Sequence, residues 1–139
     1  MKLVLKDNRR HILRFDKGEE FFAALTDFLK TNQITAAAFT AIGTCSEIEL
    51  GYFNSFLKGY RKKLYIENLE IVSLIGNCSM FEGKPVIHAH GSFGKTDFNV
   101  VGGHVFKMVV LATCEVFLIK LDGILERKNN PEFNLGLLA

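Results

Sequence analysis

Apolar and polar positions change period once along the chain. Between Gly18 and Lys30, residues Phe21, Phe22, Ala24, Leu25, Phe28 and Leu29 recur at helical spacing, which predicts a helix over 18–30 packed by that apolar stripe. Asp16 and Glu19 stand just before it: Asp16 is placed to cap the free amides, while Glu19 reaches back and favours the positive helix end. Asn32 is a stop signal. Beyond it the texture turns β-rich, with short strands over 35–42, 48–53, 63–66, 69–78, 86–92, 98–105 and 114–121, punctuated by Gly and Asn. The stretch 105–112 reads as a helix or a bulge. Val116-Phe117-Leu118-Ile119 lacks alternation, which points to cover on both faces. One helix among about seven strands predicts an α+β fold with a mixed or mainly antiparallel sheet.

A length of 139 residues fits one domain over 1–139. A chain of that size buries roughly 68–70% of its unfolded surface, so it needs neither disulfides nor a metal merely to fold. Any metal would then serve function. With 48% hydrophobic and 23% charged residues the chain is not disordered, and a mean hydropathy of +0.16 points to a buried subunit interface. Lys plus Arg is 17 against 15 Asp plus Glu; the net charge of +2 is too weak to mark a nucleic-acid binder. Cys45, Cys78 and Cys114 form no C-x-x-C pair, and their odd number argues against a secreted disulfide framework, so a cytoplasmic location is expected. The N-terminus has no signal-peptide apolar core, and no segment approaches the ~18 apolar residues of a membrane span. A soluble protein without a membrane partner is expected.

Chemistry concentrates in residues 83–104, which hold five of the twelve glycines and three of the four histidines. The segment reads as a hairpin: a strand through His88-Ala89-His90, a turn at Gly94-Lys95-Thr96-Asp97, and a strand ending in Gly102-Gly103-His104. On a strand, residues i and i+2 share a face about 6.6 Å apart, so His88 and His90 form a two-ligand half-site. A hairpin centred on Thr96 sets His104 opposite His88 and Gly102 opposite His90, where the glycine clears space beside the imidazole. All three histidines then share a face, and a slip of one residue would separate them. Three neutral imidazoles with an open position suit Zn²⁺ first, with Ni²⁺, Cu²⁺ or Fe²⁺ as other takers. Water, a substrate or Cys78 is the candidate fourth ligand. The competing reading is of ordinary strand histidines bonded to backbone or carboxylates.

Other candidates carry weaker signals. Glu70 and Glu115 lie inside apolar strand sequence, where a carboxylate needs a partner; each is a structural group, a support for a metal-bound His, or a general base. Arg127 pairs with such a Glu or is a solvated charge. Arg61, Lys62 and Lys63, in the Lys58-Gly59-Tyr60-Arg61-Lys62-Lys63 run, are the best place for nucleic-acid contact, although such a run is more often a solvated loop. No phosphate-cradling G-x-x-x-x-G-K-[ST] motif is present, and Gly91-Ser92-Phe93-Gly94 is not a nucleophile elbow.

Taken in order, Leu13-Arg14-Phe15-Asp16-Lys17-Gly18-Glu19-Glu20, Ala41-Ile42-Gly43, Gly51-Tyr52-Phe53, Leu69 to Asn77, His88-Ala89-His90, Gly102-Gly103-His104 and Glu115-Val116 resemble the plants-and-prokaryotes conserved domain over nearly the whole chain. The resemblance implies a compact α+β domain that forms homotrimers. In prokaryotic members it also implies a three-histidine metal site, which carries onto His88, His90 and His104. Plant members join the domain to AT-hooks with an Arg-Gly-Arg-Pro core, and this chain contains none. The leading expectation is a trimeric metal-binding domain, zinc first, of regulatory or ligand-binding type. One alternative is an enzyme acting on a small molecule through a metal-bound water, with Glu70 or Glu115 as base. DNA binding through the 58–63 loop is the other.

Overall fold

The computed structural model describes residues 1–139. Strands β1 (Lys2–Lys6) and β2 (Arg10–Asp16) are followed by helix α1 (Phe21–Thr31). Four long strands come next: β3 (Ala37–Asn54), β4 (Gly59–Phe81), β5 (Lys84–Gly94) and β6 (Val100–Lys120). A small hairpin of β7 (Arg127–Asn130) and β8 (Leu135–Leu138) ends the chain. Every strand pair is antiparallel, in the order β1-β2-β6-β3-β4-β5, and the first part of β6 also pairs with β5. That last pairing closes β3, β4, β5 and β6 into a ring of strands. The expected α+β class with a mainly antiparallel sheet holds.

Helix α1 begins three residues later than its apolar stripe suggested. Its N-cap is Glu20, whose carboxylate accepts from the Ala23 amide at 2.7 Å, while Glu19 reaches back to the Asp16 amide at 2.7 Å. Asp16 caps nothing and instead pairs with Arg14 at 3.1 Å. Asn32 ends the helix as expected, its amide donating to the Phe28 and Lys30 carbonyls. Phe21, Leu25, Phe28 and Leu29 are buried, and Phe21 packs on Phe15 of β2 and Phe39 of β3. Burying such side chains contributes about 1.5–3 kcal/mol each, which fixes the helix to one sheet face.

Several short predicted strands are parts of longer ones. The 35–42 and 48–53 segments fuse into β3, 63–66 and 69–78 into β4, and 98–105 and 114–121 into β6, which passes through 105–112 as strand with register shifts against β3, the bulge alternative and not the helix. Register shifts between Ala41 and Gly43 and between Cys45 and Glu47 break the two-residue alternation that marks a strand in sequence. Gly43 sits at this bend with φ +146°, and a Cβ there would fall on the Thr113 carbonyl.

Strand β2 buries His11, Leu13 and Phe15 beneath the helix. The His11 ring meets Phe28 edge-on at 5.7 Å, and its Nδ1 has no hydrogen-bond partner. Burial, helped by Lys6 and Lys120, pushes its pKa below the ordinary 6.5. As pH falls the unfolded chain therefore takes up a proton before the folded chain does. Stability is full above about pH 6.5 and declines below it. Melting temperatures from pH 7.5 to 5 should fall more steeply in the wild type than in His11→Leu; parallel curves would refute a buried neutral His11.

Candidate metal centre

The hairpin of β5 and β6 gathers the histidines. Its five-residue turn is centred on Asp97 rather than Thr96: the Asp97 carboxylate accepts from the Asn99 amide at 3.0 Å, and the Phe98 amide donates to the Lys95 carbonyl at 2.9 Å. His104 is therefore opposite His90, not His88, and Gly102 is opposite Ser92. The difference is two residues, so the strand face is conserved and all three imidazoles still converge. Gly102 does not clear space beside His90; a Cβ there would stand 2.7 Å from the Gly91 carbonyl oxygen, so the glycine lets β5 and β6 approach.

Ring centroids are 5.2 Å apart for His88 and His90, 5.0 Å for His88 and His104, and 5.3 Å for His90 and His104. One nitrogen from each ring lies within 4.8 Å of the other two. Nitrogens bound at about 2.1 Å around a tetrahedral ion are about 3.4 Å apart, so modest rotamer adjustment brings the three into bonding range. His88 and His104 are half-buried and His90 is exposed. Burial pushes His104 down to about 4, with His88 and His90 adding to the effect, and His88 is lowered by burial and by Arg127. Both rings are thus held neutral, the form that donates to a metal. The buried His104 Nδ1 has no hydrogen-bond partner, an orphan donor atom that a metal ligand set explains. Tyr60 and Phe106 flank His104 with centroids at 4.9 and 4.4 Å and dry its surroundings.

Cys78 does not join this group. It pairs with Ile87 in register and points into the core, where burial pushes its thiol up to about 12. The alternation of β4 gives Asn77, not Cys78, the place opposite His88. Glu70 and Glu115 are exposed on the strands, not enclosed in apolar surroundings: Glu70 lies opposite Gly94 and Thr44, and Glu115 opposite Arg14 and Ile42. Neither lines the cavity beside the histidines. Arg61, Lys62 and Lys63 are exposed on β4 rather than in a loop; Lys62 pairs with Glu49 at 3.0 Å over the Phe106 ring, and Lys63 stands over Tyr65.

Arg127 neither pairs with Glu70 or Glu115 nor stands free in solvent, the two places its sequence suggests, and it and Asn77, which carried no site expectation, both stand beside His88. Arg127 Nη2 donates to Asn77 Oδ1 at 2.8 Å and lies 3.3 Å from His88 Nδ1, Nε donates to Ser79 Oγ at 2.7 Å, and Nη1 donates to the Gly136 carbonyl at 2.7 Å. An arginine 39 residues from His88 in sequence carries no local signal of this contact.

Residues 4–122 match the Plants and Prokaryotes Conserved (PCC) domain. The chain belongs to this family. A metal-containing protein from Archaeoglobus fulgidus is 38% identical to this PCC-domain chain and superposes with a TM-score of 0.89, the match covering 100% of this chain and 99% of that one. The plant- and prokaryote-conserved protein of Pyrococcus horikoshii is 33% identical, with a TM-score of 0.90 and coverage of 100% and 97%. A candidate DNA-binding protein from Bacteroides thetaiotaomicron is 26% identical, with a TM-score of 0.93 and coverage of 97% and 94%. No curated protein matches the chain. No helix of this PCC domain is long and apolar enough to cross a membrane.

Proposed function

We propose that this PCC domain holds one divalent transition metal, zinc first, on His88, His90 and His104, and acts as a ligand-binding or regulatory module through it. The observation that carries this reading is the convergence of three imidazole nitrogens within 4.8 Å of one another. An all-nitrogen set favours zinc and its first-row neighbours over magnesium or calcium. Bound there, the ion would act as a Lewis acid with at least one position open to a ligand. The similarity to a metal-containing protein from Archaeoglobus fulgidus supports the same reading. Elemental analysis of untagged protein should find one metal per chain, reduced to background in His88→Ala. Metal-free wild type after growth and dialysis with Zn²⁺ would end the proposal.

A second observation favours self-association. The sheet face away from α1 leaves Ile42 56%, Ile75 55%, Phe117 51% and Ile119 49% exposed on three adjoining strands. Contiguous apolar area of this kind marks an interface, and the homotrimer implied by the family resemblance would cover it. Sedimentation should give three times the 15.6 kDa chain mass, and Phe117→Glu should give a single chain with an intact circular-dichroism spectrum. A wild type that sediments as one chain would sink this assembly.

DNA binding is the third reading, supported by the similarity to the Bacteroides protein. Its cations would be Arg61, Lys62 and Lys63, of which Lys62 is already paired with Glu49.

A further inference from the structure

A cavity of about 450 Å³ opens beside the histidines. This is within the range of small-molecule sites, about 300–1,000 Å³. Its apolar walls include Phe22 of α1, Ile87 of β5, Phe106 of β6, and Leu135 and Leu137 of β8. The polar groups that reach it are His88, His104, Tyr60, Thr26 and Arg127, and no Asp or Glu lines it. Residues 127–138, which supply Arg127 and the β8 wall, lie beyond the stretch matched to the PCC family.

Arg127 is held without being neutralised. Its bonds to Ser79, Gly136 and Asn77 are all to uncharged acceptors, and it makes no ion pair with a carboxylate. Those bonds occupy three of five N–H groups; of the other two, the one on Nη1 is unpaired and the one on Nη2 meets His88 Nδ1 at 3.3 Å. A fixed guanidinium in a mainly apolar cavity, with one N–H unpaired and a second held only by the His88 ring, is a receptor for a planar anion. The walls set the rest of the ligand: an apolar body, since bare inorganic anions gain nothing from Phe and Leu surfaces.

The 3.3 Å contact between Arg127 Nη2 and His88 Nδ1 links this receptor to the histidines. Arginine only donates, so the contact uses the Nδ1 lone pair. A metal on Nδ1 would take that lone pair, and a metal on Nε2 would leave the proton on Nδ1. By either route the Arg127 N–H loses its histidine partner and becomes free for an outside acceptor. Three neutral imidazoles also leave the charge of a bound cation uncompensated, so metal and Arg127 would attract the same anion.

We infer that the cavity binds a small organic carboxylate, its apolar body against Phe22, Phe106 and Leu135 and its carboxylate on Arg127, and that metal on the three histidines strengthens this binding. The second half rests on the metal site proposed above; the first half does not. The two effects are reciprocal, so the acid also tightens metal binding.

The test is calorimetric titration of the full chain, stripped of metal and then loaded with Zn²⁺, using 3-phenylpropionate, the neutral 3-phenylpropionamide and inorganic phosphate. Metal-free protein should bind the acid roughly tenfold more tightly than the amide or phosphate. Zn²⁺ should improve acid binding by at least about fivefold and leave the amide unchanged. Arg127→Gln should reduce the acid to the level of the amide, and Arg127→Lys should retain part of the preference. Equal binding of acid and amide by the wild type overturns the carboxylate site, whatever the variants do; phosphate binding as tightly as the acid overturns the apolar body. Stoichiometric Zn²⁺ uptake with no change in acid affinity overturns the coupling while the metal site stands. If no Zn²⁺ is taken up, metal site and coupling fall together, and the acid and amide comparison on metal-free protein still decides the rest.

Discussion

Gly43→Val should leave almost no folded protein, and Gly43→Ala should lose more than about 4 kcal/mol, a size of effect that backbone strain joined to a steric collision produces. At this point β3 bends between its two halves while β6 runs alongside, and the backbone has φ +146°. A Cβ would fall on the Thr113 carbonyl oxygen and 2.8 Å from Cys114 Cα. Both are backbone atoms of a strand held on its other side by β2, so neither can swing away as a side chain would. With total stabilities of about 5–15 kcal/mol, the loss removes much or all of the margin. Gly94→Ala is the matched control on the hairpin, because its nearest contacts would be Val72 Cγ2 at 3.4 Å and Glu70 Cβ at 3.6 Å, ordinary packing distances. Urea midpoints read the comparison: Gly94→Ala close to wild type, Gly43→Ala far below it. A Gly43→Ala midpoint beside that of Gly94→Ala would show that β6 moves aside freely.

The same bend explains what could be read in advance. Alternation and helical spacing are local, so α1 and the convergence of His88, His90 and His104 were visible from spacing alone. The register error of two residues was harmless because strand faces repeat every second residue. Gly43 and its neighbouring shifts interrupt that period, and the long strands β3, β4 and β6 consequently read as short ones. Strand β2 was hidden differently: its buried face is His11, Leu13 and Phe15, and the histidine masks the alternation. Strand β1 is exposed throughout, and its Leu3-Val4-Leu5 run shows no alternation between buried and solvent faces. Cys78 and Asn77 differ by one position, and only pairing with β5 decides which of them faces His88. Glu70 and Glu115 looked buried because apolar residues flank them, yet those neighbours point the other way. Arg127 was out of reach, since its place depends on Ser79, Asn77 and Gly136, which no local pattern connects.

Zn²⁺ should raise the melting temperature of metal-stripped protein by about 10–15 °C, and His104→Ala should abolish most of that rise. A ligand that binds only the folded state at about a thousand times its dissociation constant stabilises by about 4 kcal/mol. For a chain of this length each kcal/mol moves the midpoint by about 2–5 °C. His104 is the donor to remove because it alone comes from β6, and its half-buried ring is held between Tyr60 and Phe106 while that of His90 is exposed. Loss of an outer partner of a metal ligand already costs about 10–100-fold in affinity, and loss of a donor should cost at least as much. The two remaining imidazoles, His88 and His90, stand on one strand and cannot enclose an ion from two sides. His11→Leu, which removes the histidine outside the cluster, should keep the full rise. Mg²⁺ should produce none, since it requires oxygen donors. If Zn²⁺ raised the wild type and His104→Ala equally, the ion would be bound elsewhere on the chain, and the three histidines would be strand residues held neutral by burial alone.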